Sequence, residues 1–329
     1  MKKTLLILSL VPILANAQIG GQLDYHALNF TTNPRAAGLA GTAISLGDGD
    51  ISQFFENPAS LDSAKSGDVF FHVNPCFADV NGYSAAYAFD TKRVKRLAVG
   101  IHYLDFGTFQ MTDEAGNELG SFSAADYVLY VGKSHRLGPI TLGANLKLAH
   151  SSVDIYSTSA LAMDIGGLFR VNKNWTIGMV LRNMGTSISN QNVSAASVPF
   201  DVRVGTSFKP EYMPIRFSLT SNNLRNDNLN LEEETTGRSN RTVDNVLKRV
   251  NLGAEILLSS NFQLLFGYNH KRKQELRLDT IGGGAGFSFG LMARVKQFQL
   301  RYSRAIYHAA GGTSLISLQT NLNDFKKIL

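Results

Sequence analysis

The chain has 329 residues, a formal net charge of +6 and a single cysteine, Cys76. This small basic surplus, without a cluster of Lys and Arg between aromatic residues, argues against nucleic acid as a partner. One cysteine excludes an internal disulfide. Because no stretch of eighteen apolar residues follows the N-terminus, any membrane insertion would have to use strands.

The N-terminus has the pattern of a cleavable signal peptide. Two lysines precede an apolar run of about ten residues, and the sequence ANA at 15–17 has the small residues that signal peptidase accepts. The apolar run is too short to span a bilayer as a helix, which needs about twenty residues. We therefore predict a signal peptide over residues 1–17 and export of the mature chain.

Residues 33–61 contain two Asn-Pro pairs and several Gly around a short apolar run, ahead of a chain that otherwise alternates like strands. Asp48 and Asp50 resemble the start of a calcium loop, but the Gly and Glu that such a loop needs further on are missing. We expect Asp50 instead to cap a short helix that ends at Pro58. The interpretation is an N-terminal hatch, residues 18–66, folded inside a barrel.

Residues 67–329 read as strands in which apolar side chains alternate with polar or small ones. In WTIGMVLRN, for example, Trp175, Ile177, Met179 and Leu181 share one face, and the residues between them share the other. A period of two means one apolar and one polar face. Counting such segments gives about fourteen strands and an all-β fold.

A soluble β-sandwich and a transmembrane antiparallel β-barrel share this alternation, and three features favour the barrel. Strands of about ten residues suit a tilted bilayer crossing, and aromatic residues lie near segment ends, as at a membrane interface. Connections also read as alternately short and long, as in outer-membrane barrels. The predicted long ones are residues 107–121, 151–159, 185–197, 225–245, 272–280 and 305–312. We therefore expect residues 225–245 to lie outside the cell and both termini to face the periplasm.

The predicted lumen is polar and net basic. A set of charged residues falls on the non-apolar side of the alternation, and we expect the carboxylates of the hatch to pair with its cations, because buried charges are commonly paired. The predicted inward charges are Lys147, Asp164, Arg170, Arg182, Asp201, Arg203, Arg216, Glu255, Lys271 and Arg301.

No motif in the sequence predicts an enzyme or a cofactor. The Ser-x-x-Lys pattern of acyl-transfer enzymes is missing. The stretch GFSFG at 286–290 matches Gly-x-Ser-x-Gly, but it lacks the strand-to-helix context that this motif requires. The histidines lack the spacing of metal ligands. His150, followed by two serines, could suggest a barrel phospholipase, but a lone His beside two serines more often belongs to a solvated loop. We predict no catalytic, metal or cofactor-binding residues.

The N-terminal stretch NFTTNPRAAGLAGTAISLGDGDISQFFENPASLDS, together with LGANLKLAHSSVDIYSTSALAMDIGGLFR, resembles the FadL-like outer-membrane barrels. More narrowly, the chain is similar to the PorV/PorQ branch of the type IX secretion system of Bacteroidota. The similarity covers nearly the whole chain and is most specific over residues 29–170. Besides Asp48 and Asp50, the motif residues that carry over, as structural residues, are Asn33, Pro34, Arg35, Asn57, Pro58 and Ala59.

The resemblance implies a fourteen-stranded barrel with a hatch in the outer membrane of a Gram-negative bacterium, and not an enzyme. It also implies anchoring of a PorZ-like surface partner beside the PorU/PorV complex. The alternative is a FadL-like transporter of hydrophobic small molecules. A transporter requires a continuous apolar path, against which the charged inward positions argue.

Overall fold

A computed structural model describes residues 25–190, 198–222, 224, 246–275, 284–308 and 311–325. Fourteen antiparallel strands form one closed barrel in which each strand pairs with its sequence neighbours and β1 pairs with β14. The predicted fold class is therefore confirmed. The strands are β1 (Asp68–Pro75), β2 (Asn81–Phe89), β3 (Leu97–Thr112), β4 (Glu118–Leu137), β5 (Ile140–Val153), β6 (Tyr156–Arg170), β7 (Trp175–Asn190), β8 (Asp201–Phe208), β9 (Ile215–Ser221), β10 (Val250–Leu257), β11 (Phe262–Asn269), β12 (Phe287–Val295), β13 (Phe298–His308) and β14 (Gly311–Asn321).

The two ends of the barrel differ in their connections. At the end where β1 begins and β14 finishes, every connection is short, from residues 296–297 up to residues 90–96. At the opposite end the connections range from residues 154–155 to residues 222–249. We call these the short-turn end and the long-loop end. The chain therefore enters the barrel at the start of β1 and leaves it at the end of β14 on the same side, the short-turn end.

Several of the predicted long loops are wholly or partly strands instead: residues 107–121, 151–159, the first half of 185–197, and the described residues of 305–312. Residues 107–121 continue the ladder of β3 and β4, with Phe109 opposite Phe122, and the turn between them is only residues 113–117. Asp113 closes this turn, since its carboxylate accepts hydrogen bonds from two backbone N–H groups. Polar and Gly-rich composition suggested loops here, but the alternation continued through both segments, and residues 151–159 likewise belong to β5 and β6.

The alternation of side chains matches the sequence prediction on β7. Trp175 and Met179 are 40% and 49% exposed on the outer face, whereas Val180 and Arg182 are buried on the inner face. On β2, β3 and β4, Tyr83, Tyr103 and Tyr127 stack side by side near the long-loop end. An apolar outer face with aromatic residues near its ends is the surface that a bilayer requires.

The segment before the barrel is built from short helices. Asn33 caps the helix Pro34–Gly38 by accepting from Ala36 N, and Asn57 caps the 3₁₀ helix Pro58–Ser63 by accepting from Ala59 N. Pro occupies the first helical position in both, where its missing N–H costs nothing. The two Asn-Pro pairs are therefore helix starts. Asp50 caps the 3₁₀ helix Ile51–Phe55 as expected from the sequence.

Among the residues described, no helix is both long and apolar enough to cross a membrane. The predicted signal peptide, residues 1–17, and the predicted outer loop, residues 225–245, lie outside the described residues.

The outward face of β7 yields a test of the barrel's orientation. Placing Arg at Met179 exposes a charge to lipid and should cost about 2 to 4 kcal/mol in free energy of unfolding. Met179→Leu is the matched control and should be near neutral. Gly178→Arg should fail for another reason, because a side chain there meets Ile44 O at 2.7 Å. Urea unfolding in lipid vesicles measures all three, and an unchanged Met179→Arg would contradict an outward face.

The arrangement of connections yields a test of sidedness. Trypsin added to intact cells should cut within residues 225–245, which contain three arginines, and spare the short turn at residues 90–96. In permeabilised cells, trypsin should cut both the segment 225–245 and the short turn at residues 90–96. Cleavage of the longer segment only after permeabilisation would reverse the predicted topology.

Candidate functional site

The interior of the barrel is occupied by residues 25–63, which we call the N-terminal segment. Its backbone bonds to inward side chains of strands on several sides: Asn145 on β5 donates to Phe54 O at 2.8 Å, and Ser207 on β8 donates to Ser45 O at 3.1 Å. A Cβ at Gly143 would lie 2.4 Å from Ala59 N. Only glycine permits an approach this close.

Arg35 is the buried centre of a charge cluster whose members Asp48 and Arg216 are partly exposed. Its guanidinium group donates to both Asp48 oxygens at 2.7 Å, to Glu255 on β10 at 2.8 and 3.1 Å, and to Asp50 at 3.4 Å. Arg301 on β13 also donates to Asp50. Arg216 on β9 completes the group, donating to Asp48 at 2.6 Å and to Glu255 at 3.0 Å. The Arg35 cluster thus holds Arg35, Asp48, Asp50, Arg216, Glu255 and Arg301.

The Arg35 cluster contains three cations and three carboxylates and is therefore neutral as a unit. The Asp48 side chain is 33% exposed. Its partial loss of water would raise the pKa of this carboxyl group, but attraction and hydrogen bonds from Arg35, and then from Arg216, hold that pKa well below its usual value. Asp48 is therefore ionised at neutral pH. Buried charges persist when each finds a counter-charge and hydrogen bonds, and here the segment and the wall each supply both signs.

A second group, the Glu56 cluster, lies around a bulge in β7. Lys147 on β5 contacts Asp164 on β6 at 2.6 Å and donates to Asn183 Oδ1 at 2.8 Å. The pairing register of β6 with β7 changes between Met163 and Ile165, and Asn183 on β7 has a φ of 55°. A bulge puts two successive residues on one face. Arg182 and Asn183 are accordingly both buried inside.

The carboxylate of Glu56 lies between two arginines of the Glu56 cluster. Arg182 and Arg203 approach it to 3.7 and 3.5 Å, and Arg203 also donates to Asp201 at 2.6 Å. Members of this cluster are Glu56, Lys147, Asp164, Arg182, Asp201 and Arg203. Like the Arg35 cluster, it joins the N-terminal segment to the wall.

A third group at the short-turn end was only partly predicted. Asp62 contacts Arg96 at 3.0 Å, Arg170 at 3.3 Å and Arg136 at 3.7 Å. Of these four, the alternation identified Arg170 alone. Asp62 belongs to the 3₁₀ helix Pro58–Ser63, and Arg96 lies in the turn before β3, so the period of two gives no direction for either. Arg136 lies at the end of β4 and was not identified. The clustering of Arg at the starts and ends of strands was the available signal.

Lys271 does not lie on a strand. It belongs to the short helix His270–Glu275 that follows β11, so the alternation used to place it does not extend that far. The next residue, Arg272, is the one that reaches the interior, since its Nη2 atom would lie 3.2 Å from a Cβ at Gly41. Asn269 fixes it by accepting from Arg272 N at 2.9 Å.

The remaining sequence candidates lie in the packing around these clusters. Pro34, Pro58 and Ala59 are buried at helix starts. Phe54 and Phe55 pack against Tyr130 on β4, with ring centroids 6.0 and 5.0 Å from the tyrosine. His150 bonds to Ser159 on the exposed outer face at 2.9 Å. Within the described ranges, no group of three or more His, Cys, Asp or Glu residues could hold a metal ion.

The Arg35 cluster yields a stability test. Asp50→Asn keeps the helix cap but removes the charge that Arg301 and Arg35 contact, and breaking a buried pair costs about 3 to 5 kcal/mol. We expect earlier urea unfolding in detergent and loss of the heat-modifiable gel shift. Asp113→Asn, in an exposed turn, is the matched control. Equal stability of the two variants would show that the buried pairs do not hold the segment.

The structure is similar to solved outer-membrane barrels. The toluene transporter TbuX of Ralstonia pickettii is 13% identical, with a TM-score of 0.52, over 90% of this chain and 99% of that one. A deletion mutant of the monoaromatic hydrocarbon channel TodX is 11% identical, with a TM-score of 0.54, over 88% and 99%.

No family model matches the sequence, and no curated protein is significantly similar to it. At these identities the structural likeness concerns the fold. The chain therefore has the closed, fourteen-stranded fold of the FadL-like outer-membrane barrels.

Proposed function

We propose that this protein is a PorQ-like component of a type IX secretion system, resident in the outer membrane. In this proposal the N-terminal segment is a hatch that closes the lumen, and the barrel anchors a PorZ-like protein at the cell surface beside PorU and PorV. The protein is then a membrane anchor rather than an enzyme or an open pore.

The Arg35 cluster is the observation that supports this proposal most. Passage through the lumen would require the N-terminal segment to leave Glu255 and Arg301. Arg301 would then lose Asp50, and Glu255 would lose Arg35 and keep only Arg216. Separating buried ion pairs is expensive, at about 3 to 5 kcal/mol for each broken pair. Ion pairs of Glu56 and Asp62 also hold the N-terminal segment to the barrel wall. These additional contacts favour a static anchor over a gate.

The motif that carries the family resemblance also has structural roles consistent with the proposal. Asn33 and Asn57 start the helices, and Arg35 forms the central ion pairs. These residues fold the segment into the lumen and form no surface for a ligand. Partner recognition is then left to the long-loop end.

A second candidate is a FadL-like transporter of hydrophobic small molecules. Solved structures with this fold include a toluene transporter and a monoaromatic hydrocarbon channel. This chain also has an apolar groove of about 510 Å³ at β8–β12, lined among others by Phe217, Leu252 and Phe266. Those three side chains lie on the exposed outer face. Lipid chains therefore fill such a groove without any transport.

Two measurements separate the candidates. The full chain, tagged and purified from cross-linked native membranes, should carry a PorZ-like protein in a fixed ratio. Cells with the barrel should take up labelled toluene no faster than cells without it. Uptake above background together with absence of the protein partner would replace the anchoring proposal with the transporter.

The Asp50→Asn variant, with Asp113→Asn as its control, gives a further test that distinguishes an anchor from a transporter. An anchor should lose abundance in the membrane, while each folded molecule still retains its partner. A transporter gated by the N-terminal segment should instead show faster uptake per molecule. A folded Asp50→Asn protein that no longer retains the partner would make the N-terminal segment the binding surface and contradict the proposed hatch.

A further inference from the structure

A polar cavity of about 160 Å³ lies inside the barrel, beside the turn of the N-terminal segment at Gly41. Its walls come from that segment, from β7, β8, β10 and β11, and from the helix after β11. Polar and charged side chains supply most of its lining, among them Thr42, Glu56, Arg182, Arg203, Asn251, Asn269 and Arg272. This volume corresponds to about five water molecules at about 30 Å³ each.

Arginine donors in this cavity lack partners. Nε of Arg182 and Nη1 of Arg272 are buried and have no hydrogen-bond partner among the described residues. The side chain of Arg182 is only 3% exposed, and its one hydrogen bond to a described residue, to Leu28 O, is 3.3 Å long. Unsatisfied guanidinium donors at a buried position are costly. A bound acceptor would remove that cost.

The charges around the cavity favour an anion. Three arginines line it against one carboxylate, Glu56. Glu56 accepts from Thr42 at 3.3 Å and lies 3.5 Å or more from Arg182 and Arg203, so neither guanidinium is held tightly by it. Asp201, behind Arg203, offsets one further charge. One positive charge remains, and Arg272 contributes it at the partly exposed side of the cavity.

The chemistry of the lining defines the ligand class. Arg forks bind carboxylate and phosphate oxygens with charge-assisted hydrogen bonds. Asn251 and Asn269, which lie opposite each other on β10 and β11, add amide groups suited to a hydroxylated or hydrated body. An acyl chain would find almost no apolar wall here.

We propose that this cavity is a binding site for a small hydrophilic oxyanion, a phosphate or carboxylate, held by Arg182, Arg203 and Arg272. Arg182 and Arg203 also contact Glu56 of the N-terminal segment, whereas Arg272 has no part in the anchoring role, and the site stands whether or not that role does. Arg272 is the accessible member. Its helix, His270–Glu275, follows directly on Asn269, and the Arg272 guanidinium group lies over the Tyr307 ring at 4.3 Å.

Calorimetry on the full chain in detergent tests the site, with inorganic phosphate, succinate and uncharged glycerol as probes. We expect millimolar or tighter binding of phosphate or succinate, and none of glycerol. Whichever of phosphate and succinate binds more tightly shows whether the site prefers a phosphate or a carboxylate. Arg272→Gln should weaken binding about tenfold, as loss of a charge-assisted hydrogen bond does.

Lys273→Gln is the matched control, because it removes the same charge one residue away, where the ammonium group lies over the Tyr268 ring. It should bind as the unchanged protein does. If Arg272→Gln does not fold, Arg272→Lys keeps the charge, loses the fork and should still bind several-fold more weakly. Absence of anion binding, equal binding of glycerol, full binding by the Arg272 variants, or equal loss in Lys273→Gln would each overturn the proposal.

Discussion

The enclosed arrangement depends on one fully buried guanidinium group, that of Arg35. It reaches carboxylates of its own segment, Asp48 and Asp50, and of the wall, Glu255. A charge so far from water is tolerated only with its partners in place. The contacts that stabilise the buried charge of Arg35 therefore also fix where the N-terminal segment lies. The Gly and Asn residues around it allow the close approach to the wall that this position requires.

The barrel wall has two faces with different surroundings, an apolar outer face and an inner face packed against the N-terminal segment. One alternation of side chains along each strand matches both. Outward residues such as Leu146 and Ile316 are more than half exposed, while Lys147 and Ser317 beside them are buried. The interior combines nearly balanced charge clusters with an apolar cluster in which Phe54 and Phe55 of the N-terminal segment pack against Phe70 and Tyr130 of the wall. The N-terminal segment therefore covers both the charged and the apolar parts of the inner wall.

The period-two pattern was sufficient to predict the strands, their number and the inward charges on them, as β7 illustrates. It could not predict the bulge at Asn183, which brings two neighbours to the same face, or the end of β11, beyond which Lys271 leaves the strand for a helix. Pairings such as Arg35 with Glu255 join residues 220 positions apart. One sequence shows the charges but not the register that brings them together. Asp113 and its neighbours looked like a long loop because turn residues dominate composition even where strand alternation continues.

The seam between β1 and β14 constrains the order of assembly. Asp68 and Asn321 meet there across 253 positions, and Arg301, the partner of Asp50, lies on the strand made just before the last. The N-terminal segment is synthesised first but gains its wall contacts on β10 and β13 only when most of the chain exists. Contacts this distant in sequence form slowly. The N-terminal segment therefore gains its full set of counter-charges only when β10 and β13 are in place, and the finished seam encloses a filled interior.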